Sequence, residues 1–172
     1  MRVGIGYDSH RFSPDVPLIL GGVHIPDHPG LAGHSDGDAV AHAVIDAILG
    51  AAAAGNVGSH FPPDEQAWKG ADSMELLAGA VHVLEERNYQ IVNVDVTVVC
   101  ETPKIGPWVE SMRARLGGAL RIGPAGVSVK GKTNEGLGWI GRGEGLAAHA
   151  VALIDAMQGL DGWVDGAAQD PA

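Results

Sequence analysis

Apolar and polar residues alternate strictly along 92–98, where Val92, Val94, Val96 and Val98 are separated by Asn93, Asp95 and Thr97. A period of two predicts a strand with one buried face. A helical period governs the segment around His42, where Ala41, Val44, Ile45, Ile48 and Ala52 form an apolar stripe. The spacing predicts that this helix starts at Ser35, with Asp38 three residues on as its capping-box partner. Asp38, His42 and Asp46 lie four apart on the face opposite the stripe. His42 is therefore expected to face a ligand or another subunit rather than the core.

The remaining pattern fills in around these two elements. Residues 2–7 read as a strand, 18–20 and 23–25 as a hairpin about Gly21-Gly22, and 26–33 as a loop. Asp72 and Glu75 open a second helix whose inner face is Leu76, Leu77, Ala80, Val81 and Leu84. Pro107 suits the first turn of a third, with Val109, Met112, Leu116 and Leu120 inward. Residues 127–130 read as a strand, whereas the alanine content of 146–157 favours a helix. The structureless stretch 55–70 is long enough to suggest a functional loop. No internal repeat or linker interrupts residues 1–157, and the mixed order of elements predicts one α/β or α+β domain. Residues 158–172, rich in Gly, Asp, Ala and Pro, read as a flexible tail.

Composition narrows the function classes. A chain of 172 residues, 45% hydrophobic and 19% charged, can bury a sizeable core. Its net charge of -10 argues against nucleic acid or an anionic membrane as partner, so any phosphate ligand must be held locally. No run is apolar and long enough to span a bilayer, and M-R-V-G-I-G-Y-D lacks the layout of a signal peptide. The single cysteine, Cys100, excludes an intrachain disulfide and fits a reducing, cytoplasmic compartment.

Three residues carry the strongest chemistry. Asp8 and His10 are two apart, so on an extended segment they point to the same side. Taken alone, that pair fits a turn aspartate and a surface histidine better than a ligand pair. With His42 added, the set becomes one carboxylate and two imidazoles, the three-ligand set of a zinc site whose fourth position is open. His34-Ser35, at the expected helix start, offers a hydroxyl, an imidazole and free N–H groups to a phosphate. Asp38 and Asp46 fit a supporting or structural role better than direct ligation. In Lys132-Thr133-Asn134-Glu135, Thr133 could donate to a phosphate and Glu135 could hold a hard cation. The segment does not match a nucleotide-binding P-loop. No partner makes Cys100 a nucleophile, and His24, His28, His60, His82 and His149 read as surface or packing residues.

Several separated motifs then coincide in order. They are G-x-G-x-D-x-H at 4–10, A-x-H-S-D-G-D at 32–38, H-A-x-x-D-A-x-L-G-A at 42–51 and K-G-A-D-S at 69–73. N-V-D-V-T at 93–97, P-K at 103–104 and T-x-E-x-L-G-x-x-G-R-G-E-G at 133–145 follow. Together they resemble the 2-C-methyl-D-erythritol 2,4-cyclodiphosphate synthase family of the non-mevalonate isoprenoid pathway. The resemblance implies an α+β sandwich, a mixed sheet with helices on one face, assembled as a homotrimer with active sites between subunits. It implies zinc at Asp8, His10 and His42, and magnesium or manganese at Glu135. His34 and Thr133 would steady the reacting phosphates, helped by Ser9 and Ser35. Cys100, Glu101, Thr102, Pro103, Lys104, Ile105 and Gly106, with Lys132, Thr133 and Asn134, would form the cytidine pocket. Asn56, Val57, Gly58, Phe61, Pro62, Pro63, Asp64 and Glu65 would line the methylerythritol end. Tyr7, Trp139, Arg142 and Glu144 would stand near the threefold axis, and residues 146–154 would be a strand.

The chain departs from that family at Asn56, where an acidic residue is common, at Pro63, where an aspartate is frequent, and at Trp139, which replaces a smaller aromatic. Two other readings use the same residues. A zinc hydrolase would need Asp38 or Asp46 as a base, and a structural zinc module would usually have four protein ligands.

Overall fold

A computed structural model describes residues 1–157 except Pro63 and Lys69, so the assignments made to Pro63 and to the tail 158–172 lie outside the described residues. The strands are β1 (Arg2–Leu20), β2 (Val23–Leu31), β3 (Tyr89–Val99), β4 (Val127–Lys132) and β5 (Gly145–Ala156). They form one mixed sheet in the order β2-β1-β5-β3-β4, in which only β3 and β4 pair in parallel. The main helices are α1 (Ala39–Ala51), α3 (Ser73–Glu86) and α4 (Val109–Ala119); α2 (Val57–His60) and α5 (Gly138–Gly141) are single turns. The result is the α+β arrangement expected, with α1 lying across β1 and β5.

Alternation along β1 explains why the helices occupy one face. Gly4 and Gly6 face α1, where a β-carbon would meet the Ala47 and Ala43 carbonyl oxygens at 2.1 and 1.9 Å. Val3, Ile5 and Tyr7 face the other way, where no helix among the described residues lies over them; Val3 and Ile5 are 68% and 72% exposed. Antiparallel register sets Val3 beside Leu153, Ile5 beside Val151 and Tyr7 beside His149. The bare face is therefore apolar along β1 and β5.

The strand that the resemblance implies over 146–154 forms as β5, against the helix that the alanine content of 146–157 favours. Its alternate residues Leu146, Ala148, Ala150, Ala152 and Ile154 are buried beneath α1. Alanine is present there because α1 approaches too closely for larger side chains, so composition misreports the conformation. Val92 also departs from expectation. The alternation predicts Val92 on the buried face, but the register shifts between Ile91 and Asn93, leaving Ile91 buried and Val92 45% exposed.

The start of α1 differs as well. Asp38, not Ser35, is the N-cap, and its Oδ1 accepts from Val40 and Ala41 N–H at 3.0 Å each. The same carboxylate accepts from Gly21 N–H at 2.9 Å and Gly22 N–H at 2.7 Å. Asp38 is thus fully buried, tying the helix to the β1–β2 turn, rather than standing on an exposed polar face. Burial pushes its carboxyl up to about 6, against the opposing effect of those N–H donors. Residues 26–31 continue β2 instead of looping, β1 runs on well past Tyr7, and the stretch 55–70 contains α2 and a 3-10 turn at Gln66–Trp68. Pro107 sits in a 3-10 turn just before α4.

Candidate metal and phosphate site

The close seat of α1 on Gly4 and Gly6 brings His42 to Asp8 and His10 in the middle of β1. Asp8 Oδ2 lies 2.9 Å from His10 Nε2 and 3.0 Å from His42 Nδ1. All three candidate ligand atoms fall within 4.8 Å of one another, the only such group among the described residues. The outer nitrogens are held from behind. His10 Nδ1 donates to the Ala32 carbonyl at 2.6 Å, and His42 Nε2 lies 3.0 Å from Ser73 Oγ and 3.1 Å from Ser35 Oγ. With neutral imidazoles, His10 Nε2 therefore aims a lone pair at Asp8 Oδ2, and His42 Nδ1 aims one at the same oxygen when its Nε2 carries the proton. Such a convergence of lone pairs fits a cation.

Electrostatics point the same way. Burial pushes the Asp8 carboxyl up, but hydrogen bonds to His10 and His42 and their charges outweigh it and hold it well below the usual carboxylate range. The hydrogen bond to Asp8 raises His10, against burial. Asp46, one helical turn beyond His42, is raised chiefly by burial and accepts from Val57 N–H at 2.8 Å. Asp46 is therefore a tether for α2 rather than a ligand. It sets Asn56, Val57 and Gly58 one turn of α1 away from His42.

The loop before α1 carries His34, exposed, and Ser35, half-buried. It is fastened to the start of α3: the His34 carbonyl accepts from Gly70 N–H at 2.8 Å, and Asp36 N–H donates to Ala71 at 3.2 Å. Asp36 and Ser73 stand in the motifs at 32–38 and 69–73, but nothing in the sequence marks either as a site residue. Their spacing from His42 gives no periodic signal, because they reach it through tertiary contact.

A second concavity, about 270 Å³, lies between Cys100, Glu101 and residues 103–106 on one side and residues 131–133 on the other. The Thr102–Pro103 peptide is cis, and Lys104 and Lys132 are exposed. Glu101 Oε1 accepts from Asn134 N–H at 3.0 Å and Gly136 N–H at 3.1 Å. This holds the turn in which Thr133 Oγ1 donates to Glu135 Oε1 at 3.0 Å and Glu135 adopts φ 51°. Burial, then the charge of Glu101, pushes the Cys100 thiol up to about 11.

The Asp8 cluster and this concavity share one row of the sheet: Asp8 pairs with Ala148, Ala148 with Val98 and Val98 with Gly131. Three strand spacings separate them, about 14 Å. Glu135 thus lies outside the Asp8 cluster. Among the other expected residues, Asn56, Gly58, Asp64 and Glu65 are exposed and Val57 and Pro62 half-buried. Phe61 packs edge-on against Trp68, with ring centroids 5.2 Å apart. Ser9, His10, Trp139 and Glu144 border a further hollow of about 700 Å³, and Arg142 Nε pairs with Glu144 at 2.6 Å. Among the described residues no helix is long and apolar enough to cross a membrane.

Comparison with known proteins matches residues 1–155 to the YgbB family. A 2-C-methyl-D-erythritol 2,4-cyclodiphosphate synthase of Symbiobacterium thermophilum is 55% identical over 154 residues, covering 90% of this chain and 98% of the relative. The bifunctional IspDF structure of Campylobacter jejuni aligns with a TM-score of 0.87 at 37% identity, covering 91% of this chain and 42% of the larger one. The Plasmodium falciparum IspF in complex with CDP aligns with a TM-score of 0.80 at 34% identity, covering 91% and 97%.

Proposed function

This chain belongs to the YgbB family, and from that premise we propose that it converts 4-diphosphocytidyl-2-C-methyl-D-erythritol 2-phosphate to 2-C-methyl-D-erythritol 2,4-cyclodiphosphate and CMP. This is phosphorus–oxygen lyase chemistry in non-mevalonate isoprenoid biosynthesis. The observation that carries the reading is the convergence of Asp8, His10 and His42 beside the His34-Ser35 turn.

Zinc held by Asp8, His10 and His42, and magnesium or manganese held by Glu135, would neutralise charge on the phosphoryl oxygens as Lewis acids. The chain itself supplies position. The cavity between Cys100, Lys104 and Lys132 takes the cytidine and its phosphates, a reading supported by the CDP complex of the Plasmodium falciparum relative. Residues 56–58, with Phe61, Pro62, Asp64 and Glu65, take the methylerythritol end. His34 and Thr133 hydrogen-bond the reacting phosphates. An oxygen of the 2-phosphate then bonds to the β-phosphorus, the bond from that phosphorus to the bridging oxygen breaks, and CMP leaves with the bridging oxygen. Alignment and charge stabilisation suffice, because the attacking phosphate is already anionic. Cys100, buried and held as a thiol, has no part in the step.

The apolar face of Val3, Ile5 and Tyr7 with Val151 and Leu153 is the surface a homotrimer would bury, bringing the pocket of one subunit toward the metal cluster of the next. Trp139 and Arg142 would then stand near the symmetry axis. A cytoplasmic location belongs to the same reading and is supported by the single cysteine. A hydrolase would need a free base, but both Asp38 and Asp46 accept backbone N–H groups. Incubation with the diphosphocytidyl substrate, zinc and magnesium tests the proposal. Equal amounts of CMP and cyclic diphosphate support it, and absence of both from folded, metal-loaded protein refutes it.

A further inference from the structure

We propose that Asp36 and Ser73 are positioning residues that fix the tautomer of His42 and so decide which of its nitrogens meets the metal. The inference rests on the cation-site reading of Asp8, His10 and His42.

The direction of each hydrogen bond follows from donor inventory. An ionised Asp36 only accepts. Ser73 Oγ makes a short contact to Asp36 Oδ1, and Ser73 N–H donates to Asp36 Oδ2 at 3.0 Å. The Ser73 hydroxyl proton is therefore committed to Asp36, leaving Oγ to accept. His42 Nε2, 3.0 Å from that oxygen, must carry the proton. The imidazole then presents the Nδ1 lone pair toward Asp8, 3.0 Å away. Asp36 at the far end of the chain of bonds makes that lone pair more basic. Ser35 Oγ, 3.1 Å from Nε2, provides a weaker second acceptor. The relay joins three segments: α1, the loop bearing His34, and the first residue of α3. Ser73 is fully buried, so the arrangement is shielded from competing water.

Two readouts other than turnover test this. The first needs no mutation: two-bond ¹⁵N–¹H NMR of zinc-loaded protein should show His42 protonated at Nε2 and coordinated through Nδ1. Coordination through Nε2 would overturn the proposal. The second is zinc affinity by chelator competition. Ser73→Ala should weaken binding about tenfold, with further loss in the Ser35→Ala/Ser73→Ala double variant, while Ser73→Thr, which keeps the hydroxyl, should retain most affinity. Equal affinity in wild type and in folded Ser73→Ala would overturn the relay. The site reading fails separately, if His42→Ala binds zinc as tightly as wild type.

Discussion

The carbonyl oxygen of Ala43 lies 1.9 Å from the position that a β-carbon on Gly6 would take. This approach seats α1 directly on β1 and sets the distance between His42 and Asp8. Gly6→Ala must push the helix away, at a cost of about 1–3 kcal/mol for overpacking. The expected result is a lower melting temperature together with loss of bound zinc. Gly50→Ala is the control. It lies on the exposed side of the same helix, where a β-carbon would come no nearer than 3.9 Å to Ile5 O. Removing a helix glycine there should stabilise by about 0.5–1 kcal/mol and leave zinc content unchanged, as thermal melts and metal analysis would show.

The two metal assignments separate by mutation. His42→Ala should lose zinc and turnover together. Glu135→Gln should keep zinc but lose most turnover, because Glu135 stands outside the Asp8 cluster. Metal analysis alongside rate measurements decides this, and a Glu135→Gln enzyme of normal rate would remove the magnesium assignment.

Zinc binding should depend on pH through His10. In the metal-free protein its pKa is raised by the hydrogen bond to Asp8, while Asp8 is lowered by His10 and His42. The raised His10 contributes stability that is present below its unfolded pKa, about 6.5, and is lost as pH rises through its folded value. The lowered Asp8 contributes stability that is present above its unfolded pKa and is lost as pH falls through its folded value. Zinc needs a neutral His10 and must displace that proton. Apparent zinc affinity should therefore rise as pH increases toward the raised His10 value, by up to about tenfold per unit, and level off above it. A flat profile in competition titrations would argue against ligation through His10.

Cys100 should be inert at neutral pH. It is 4% exposed and its thiol is pushed up to about 11 by burial and then by Glu101. Because the folded value exceeds the unfolded one, the associated stability is present below the unfolded thiol pKa and is lost as pH rises toward 11. Alkylation by iodoacetamide at pH 7.5 should be far slower in the folded protein than in denaturant, with turnover unaffected over the same interval.

The sequence made legible what depends on local period or on ligand type. The valines of β3 and the stripe of α1 carry the hydrophobic period directly, and Asp8, His10 and His42 carry the ligand set. Tertiary demands concealed the rest. The alanines of β5 fit the space under α1, so their helix preference is overridden. Asp38 gathers N–H groups from the β1–β2 turn as well as its own helix, which no capping pattern anticipates. Ser73 reaches His42 from 31 residues away in sequence, so the support behind that imidazole appears only once the chain is folded.

In the proposed reaction the attacking oxygen belongs to the substrate and not to water. Turnover in ¹⁸O-enriched water, followed by mass spectrometry and ³¹P NMR of the products, tests it most directly. The expected products are CMP and cyclic diphosphate that both lack solvent oxygen. Solvent ¹⁸O in CMP, or in an acyclic phosphorylated methylerythritol, would contradict it.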